Sequence, residues 1–357
     1  MDVRTIVVFL VMFTALVFVH ELGHFATARL SGMRVLELGF GFPPKAFSVR
    51  RGDVEYSVNW IPFGGFVRIL GEDGMARLAD GSLAPDSFAA RPIPARMLVL
   101  VAGVAMNVLL AIGVYTAIFA TGEPTFNGRV RWLHVEPNSP AQAAGMRDGD
   151  VISRIDGRTF TEPGQMRDYI YRHAGREISL TIERDGAARE AKAVPREDPP
   201  ANQGPLGLRD AEPVRELVSY PLPESIGRAL DRTWVVLEEI VRAFSRTVAG
   251  LVTGQGGGEE VSGPVGIFNI TGQVAQQGTA YVLELLALLS LNLAVINIVP
   301  FPGLDGGRLL FVLIEGVRGG RRLDPRTEAA IHALGFVFLL FLVGVVSFFD
   351  IRRLTGG

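Results

Sequence analysis

Three residues near the start of the chain, His20, Glu21 and His24, have the types and spacing that hydrolytic metal chemistry needs. On a helix, residues four apart project from one face. His20 and His24 can then offer two imidazoles to one ion, with Glu21 beside them as general base for a water held there. This is the His-Glu-x-x-His arrangement of zinc hydrolases. Five residues alone are weak grounds, because the pattern also arises by chance. Here it interrupts an apolar run from Thr5 to Leu30. Ionisable side chains at membrane depth cost several kcal/mol unless they are paired or coordinated. A polar patch for helix packing is the competing interpretation, and the cost of burial favours a metal site. Two ligands do not complete it, since a catalytic zinc takes three protein ligands and keeps one position open. The chain has no cysteine, so the third must be His, Asp or Glu at the same depth.

That ligand is expected where a later apolar segment breaks. Asn292 to Arg308 holds Pro300, Pro302, Gly303, Gly306 and Gly307, and Asp305 is its acidic residue. An Asp-Gly pair can also simply make a turn, and His332, further on, is the alternative ligand. Gly103 and Asn107 share a face of another apolar segment. A glycine lets a second helix approach and an asparagine can bond across it, so packing is the first expectation there, with a site-lining role for Asn107 the second.

Four segments are long and apolar enough to hold these groups in a bilayer: about Thr5–Leu30, Arg96–Thr121, Tyr281–Val299 and Ile331–Phe349. The hydrophobic content of 48% and the net charge of -2 fit a membrane protein with sizeable soluble parts and no nucleic-acid partner. The N-terminus has no basic region and no small-residue cleavage site, which suggests an uncleaved helix rather than a signal peptide. The loop after the first segment carries Arg34, Lys45, Arg50, Arg51, Arg68, Arg77 and Arg91; the loop before the last carries Arg318, Arg321, Arg322 and Arg326. By the positive-inside rule both loops are cytoplasmic, and both termini and residues 122–278 lie on the other side.

The intervening regions differ in character. Around Arg51-Gly52-Asp53, the residues Phe47, Val49, Val54, Tyr56, Val58 and Trp60 alternate with polar neighbours and predict a β-hairpin. Its flanks are rich in aromatics and glycine, so it either dips into the bilayer or stays an ordinary cytoplasmic hairpin. Its strand through Val54, Tyr56 and Val58 is expected to offer an open edge to an extended peptide. Strands are predicted at Val130–Val135, Val151–Ile155, Ile178–Ile182 and Glu190–Val194, with a helix at Gln165–His173. The run Glu136 to Ile152, followed by Ile155-Asp156-Gly157, resembles a PDZ domain, a module that takes peptide segments as an added strand. Glu197–Pro223 is proline-rich and predicts a linker. From Ile226 to Leu251 apolar residues recur at helical spacing among too many charges to span, which predicts a helix on the membrane surface or against the other helices, followed by a flexible Gly254–Gly258. The expected division is 1–121, 122–197, 198–278 and 279–357. The fold class is a polytopic α-helical membrane protein of about four transmembrane helices, with a membrane-associated β-hairpin and one inserted α+β PDZ domain.

His20-Glu21-x-x-His24, the hairpin, the PDZ-like region, Ser262-Gly263-Pro264-Val265-Gly266-Ile267 and Asn292…Asn297…Pro300-x-Pro302-x-x-Asp305-Gly306 together resemble the site-2 protease family. Their order is most similar to its RseP-like (regulator of sigma-E protease) branch. The resemblance implies a Zn2+ endopeptidase of a bacterial inner membrane, with termini and PDZ domain on the periplasmic side. Its substrates would be transmembrane proteins, either anti-sigma-factor-like or signal-peptide remnants. His20, His24 and Asp305 would be ligands, Glu21 the base, and Asn292 and Asn297 substrate contacts. The best-known members carry two tandem PDZ domains, whereas only one is visible here. The rival class is a non-catalytic receptor or metal-binding adaptor working through its PDZ domain, and Glu21 separates the two, since an adaptor needs ligands but no base. A transporter is disfavoured because no inverted repeat is visible.

Overall fold

The computed structural model describes residues 2–72, 78–201, 203–254 and 262–355. Arg77 and residues 255–258 of the expected glycine break lie outside them, as do the side chains of Pro62, Phe63 and Leu251. The chain divides into two compact units, Met1–Ala120 with Pro221–Gly357, and Thr121–Tyr220.

In the first unit, four described helices are long and apolar enough to cross a membrane: α1 (Val3–Leu30), α2 (Ile93–Thr121), α7 (Thr279–Ile298) and α9 (Pro325–Leu354). At 1.5 Å per residue, α1 is about 42 Å long, more than a hydrocarbon core of about 30 Å requires. Phe9, Met12, Leu16, His20 and Gly23 form its buried stripe, while Val7, Val11 and Phe18 are exposed. On α9 the exposed set is Leu334, Phe336, Val337, Phe338, Leu340 and Phe341. Apolar side chains on the outside of a helix suit a lipid solvent and would be a liability in water.

Between α1 and α2 lie two long antiparallel strands, β1 (Val35–Arg51) and β2 (Val54–Ile69). They do not form a flat hairpin. Gly41 and Gly64, with φ of +75° and +83°, let each strand fold on itself where a side-chain-bearing residue would be strained. Leu38 therefore lies opposite Val67 on one side and Tyr56 on the other, and Phe40 opposite Gly65 and Val58. Tyr56 and Val58 also pair outward with Val49 and Phe47, and Val54 pairs with Arg51 beside the turn. The expected open edge through Val54, Tyr56 and Val58 is thus an interior segment. The outer segments are residues 45–51 and 64–69.

After the second unit the chain returns as α5 (Leu222–Thr253), which exposes Leu222, Ile226, Leu230, Trp234 and Val241 along one amphipathic helix. Then come α6 (Pro264–Gln277) and α7, followed by a break and α8 (Asp305–Val317), a helix that the sequence pattern did not suggest. Asp350 of α9 accepts hydrogen bonds from the Gly263 and Gly266 amides, both at 2.9 Å, and so caps α6 from another helix.

The second unit contains β3 (Glu123–Val135), α3 (Pro140–Ala143), β4 (Val151–Ile155), α4 (Pro163–Arg172), β5 (Ile178–Arg184), β6 (Ala187–Ala193) and β7 (Leu208–Val218). The sheet order is β6-β5-β4-β3-β7, over a core that includes Ile152, Ile155, Met166, Ile178, Leu180 and Leu206. β7 corrects the expected linker at Glu197–Pro223 and carries the unit past residue 197 to Tyr220. Its charges and Pro213 hid it, but as an edge strand it can keep a proline that no ladder bond needs to pass.

Asp150 is the buried charge of this unit. Its carboxylate accepts the Arg147 amide at 2.8 Å and two hydrogen bonds from Arg184 at 2.7 Å. Burial alone would raise its pKa, but the Arg184 guanidinium and the Arg147 amide outweigh burial and hold it below the usual carboxylate range. The folded value is therefore lower than the unfolded one. Its contribution is full above the unfolded value of about 3.9 and is lost as pH falls through the folded value. Asp150→Asn should cost about 2 kcal/mol at neutral pH, and the gap from wild type should shrink on acidification. Amide hydrogen exchange in β4 and β5 of the full chain reads both effects.

Candidate metal centre

The break between α7 and α8 is closed by short backbone bonds, Phe301 N–H to Val299 O at 2.7 Å and Leu304 N–H to Phe301 O at 3.2 Å. These set Asp305 at the first position of α8, where a helix favours a carboxylate. Asp305 Oδ2 lies 3.0 Å from His20 Nε2 and 3.2 Å from His24 Nε2, and the two Nε2 atoms are 3.2 Å apart. Among the described residues this is the one cluster of His, Asp or Glu able to share an ion. Zinc bonded at about 2.0–2.1 Å in a tetrahedron spaces neighbouring ligand atoms by about 3.3 Å. Two imidazoles and one carboxylate at these separations fit it and leave a fourth position for water or substrate.

α2 is the wall behind the imidazoles. His24 Nδ1 lies 2.8 Å from the Val99 carbonyl, which can only accept, so that nitrogen carries the proton and Nε2 keeps its lone pair for a metal. One turn on, Gly103 leaves a gap: a Cβ there would sit 2.7 Å from His20 Cε1 and 2.8 Å from His24 Cε1. A further turn on, the amide of fully buried Asn107 lies 3.2 Å from His20 Nδ1. Packing, the first expectation for Gly103 and Asn107, understates both.

Other contacts hold α8 and the break in place. Arg96, at the start of α2, grips Glu315 of α8 with two hydrogen bonds of 2.8 and 2.7 Å, both residues being buried. Arg322 adds a third contact to Glu315 at 3.2 Å. His332 of α9 is not among the clustered ligands: its Nδ1 accepts the Gly303 amide at 3.0 Å and its ring meets Phe311 edge-on. It anchors the loop that presents Asp305. Sequence inspection passed over Arg96 and Glu315, although lone charges at the margins of apolar runs are the signal of a buried pair. The Val99 carbonyl had no signal, because a backbone group leaves none.

Glu21 stands next to the cluster on α1, and its carboxylate is within hydrogen-bonding reach of the Val67 amide. Gly65 packs there too, where a Cβ would lie 3.0 Å from Val17 and 3.3 Å from the Glu21 side chain. The outer segment 64–69 therefore runs past Glu21. Asn292 and Asn297 lie on α7. The Asn292 amide donates to the Leu288 carbonyl at 2.9 Å, and five residues of helix turn the two side chains about 140° apart.

Membrane-length helices that carry a carboxylate beside two clustered imidazoles and an aspartate have the make-up of a membrane metallopeptidase. The sequence matches peptidase family M50 over residues 8–342. Zinc metalloprotease RasP of Oceanobacillus iheyensis is 30% identical over 433 residues, covering 98% of this chain and 99% of that protein. Its namesake from Geobacillus kaustophilus is 30% identical over 424 residues, covering 98% of each. The solved PDZ domain of the SdrC-like protein of Listeria innocua aligns with 22% of this chain and 90% of its own length, at 25% identity and a TM-score of 0.21. This chain belongs to peptidase family M50, the site-2 protease family.

The wall suggests a direct check. Gly103→Ala should push both imidazoles off the shared position and lower zinc retention by roughly 10-fold or more. Metal analysis after dialysis against a mild chelator measures it.

Proposed function

We propose that this chain is an intramembrane zinc endopeptidase that cuts transmembrane segments of single-span membrane proteins, anti-sigma factors or remnant signal peptides, in regulated intramembrane proteolysis. The observation that carries this reading is the convergence of His20, His24 and Asp305 beside Glu21 on helices of membrane-spanning length. In it, His20, His24 and Asp305 hold the metal. Zinc in such a site lowers the pKa of a water and polarises the scissile carbonyl. Glu21 takes the proton from the attacking water and returns it to the leaving nitrogen. The protein works in a bacterial inner membrane, with termini and second unit on the periplasmic side.

A helical substrate hides its carbonyls in i to i+4 bonds, so it must be unwound locally. In an apolar setting each unmet backbone group costs roughly 1–3 kcal/mol or more. Strand addition replaces those bonds. The outer edge of residues 64–69 is the docking edge in this reading, because it passes Glu21, while Tyr56 and Val58 have partners on both sides. Only one of Asn292 and Asn297 can face a given peptide squarely. The second unit acts as a PDZ-type filter. It has a groove of about 400 Å³ between α4 and β7, lined by Trp132, Arg167, Ile170, Tyr171, Leu206 and Leu208, where β7 can accept a peptide strand.

Glu21→Gln is expected to keep zinc and fold but to lower cleavage by at least about 100-fold. Near-normal turnover of a membrane substrate would take Glu21 out of the mechanism and favour the adaptor reading. For the edge, Val67→Pro removes the amide beside Glu21, so any effect on the base slows all substrates alike. In folded, zinc-loaded protein it should slow cleavage of intact helical substrates roughly fivefold more than of substrates with helix-breaking residues near the cut. Equal slowing of both classes would mean that this edge does not unwind the substrate.

A further inference from the structure

Val99, Gly103 and Asn107 follow one another at four-residue spacing along the face of α2 that backs the two histidines. The first supplies a carbonyl to His24 and the second supplies room. The third is an asparagine with no exposed surface, its backbone carbonyl accepting the Ser290 hydroxyl of α7 at 2.8 Å. A fully buried amide is costly unless its atoms are used. As placed, Nδ2 faces His20 Nδ1 at 3.2 Å, and Oδ1 is buried with no hydrogen-bond partner.

We propose that Asn107 is a positioning residue that presents its side-chain oxygen to the Nδ1 proton of His20. The inference rests on the zinc-ligand reading above. His20 turns Nε2 towards His24 and Asp305, so a metal there takes the Nε2 lone pair and the ring proton sits on Nδ1. A proton-bearing Nδ1 against the amide NH2 sets donor against donor. Oxygen and nitrogen of an asparagine amide are assigned from their surroundings. Turning this amide by 180° brings the unpaired Oδ1 to Nδ1 and makes one good hydrogen bond. α2 then supplies one acceptor to each imidazole, the Val99 carbonyl for His24 and the Asn107 carbonyl oxygen for His20. Each fixes a ring tautomer and a ring plane. Supports of this kind are worth about 10–100-fold in metal affinity.

The test compares two variants of nearly equal size, N107L and N107D, in the full chain held in lipid nanodiscs. The readout is the rate at which bound zinc passes to a chromophoric chelator, alongside the melting temperature of the zinc-stripped protein. N107L should release zinc about 10–100-fold faster with the zinc-free melting temperature unchanged or raised. N107D, which keeps an acceptor, should return to within about threefold of wild type. A packing role reverses the order, with N107L releasing zinc at the wild-type rate and N107D failing, and that result overturns the inference. If N107D does not fold, N107L decides alone: a wild-type release rate overturns the proposal, and faster release without loss of zinc-free stability supports it. Wild-type protein that binds no zinc would overturn the ligand reading and this inference together, whereas wild-type retention by N107L overturns this inference only.

Discussion

The constraint on which the rest depends is the cost of placing two histidines, a glutamate and an aspartate in an apolar medium. Each of these groups needs a partner, because an unmet charge in an apolar setting costs several kcal/mol. The cluster at Asp305 Oδ2 meets that demand for three of them at 3.0–3.2 Å, and the Val67 amide lies within reach of the fourth. Every supporting element then has to bring its polar atom to within about 3 Å of the right ring or carboxylate. This explains why α2 shows the site a carbonyl, a glycine and an amide in place of three apolar side chains.

The strands between α1 and α2 carry a different constraint. A long two-stranded ribbon would leave two full edges unpaired, which proteins usually cover or pair. By bending at Gly41 and Gly64, β1 and β2 supply partners to their own middle segments. Two edges remain, and one of them lies beside Glu21. An edge is a liability that most proteins cover, and in the function proposed above it is the template for an unwound peptide.

The cluster was legible in the sequence because it places rare residues in the wrong medium. His20, Glu21, His24 and Asp305 fall within or at the break of apolar runs, where polar side chains are costly. The membrane-length helices followed from length and composition, and most strands of the second unit from alternation. What was not legible depended on contacts across the chain. The edge assigned to Val54, Tyr56 and Val58 failed because alternation tells which face a residue occupies and says nothing of how many neighbours its strand has. β7 failed because an edge strand tolerates the charges and proline that normally signal a linker. His332 was read as a spare ligand from its type alone, whereas its ring nitrogen is occupied by Gly303, 29 residues away.

The two units obey different solvents, and this bears on how the site is held. In Thr121–Tyr220 the core is apolar, so burial from water drives packing. In the membrane unit many large apolar side chains face outward, so little is gained by exchanging lipid contacts for helix contacts. The orientation of one helix against another must then come from shape and from polar links. The links present are Arg96 with Glu315, Ser290 with Asn107, His332 with Gly303, and Asp350 with Gly263 and Gly266. The first three also touch a residue or helix that places a member of the metal cluster. Helix assembly and site geometry are therefore not separate problems in this fold. The same few hydrogen bonds that dock α2, α7, α8 and α9 set where His20 and Asp305 meet, so a substitution that loosens a helix contact far from the metal should change the site before it changes the fold.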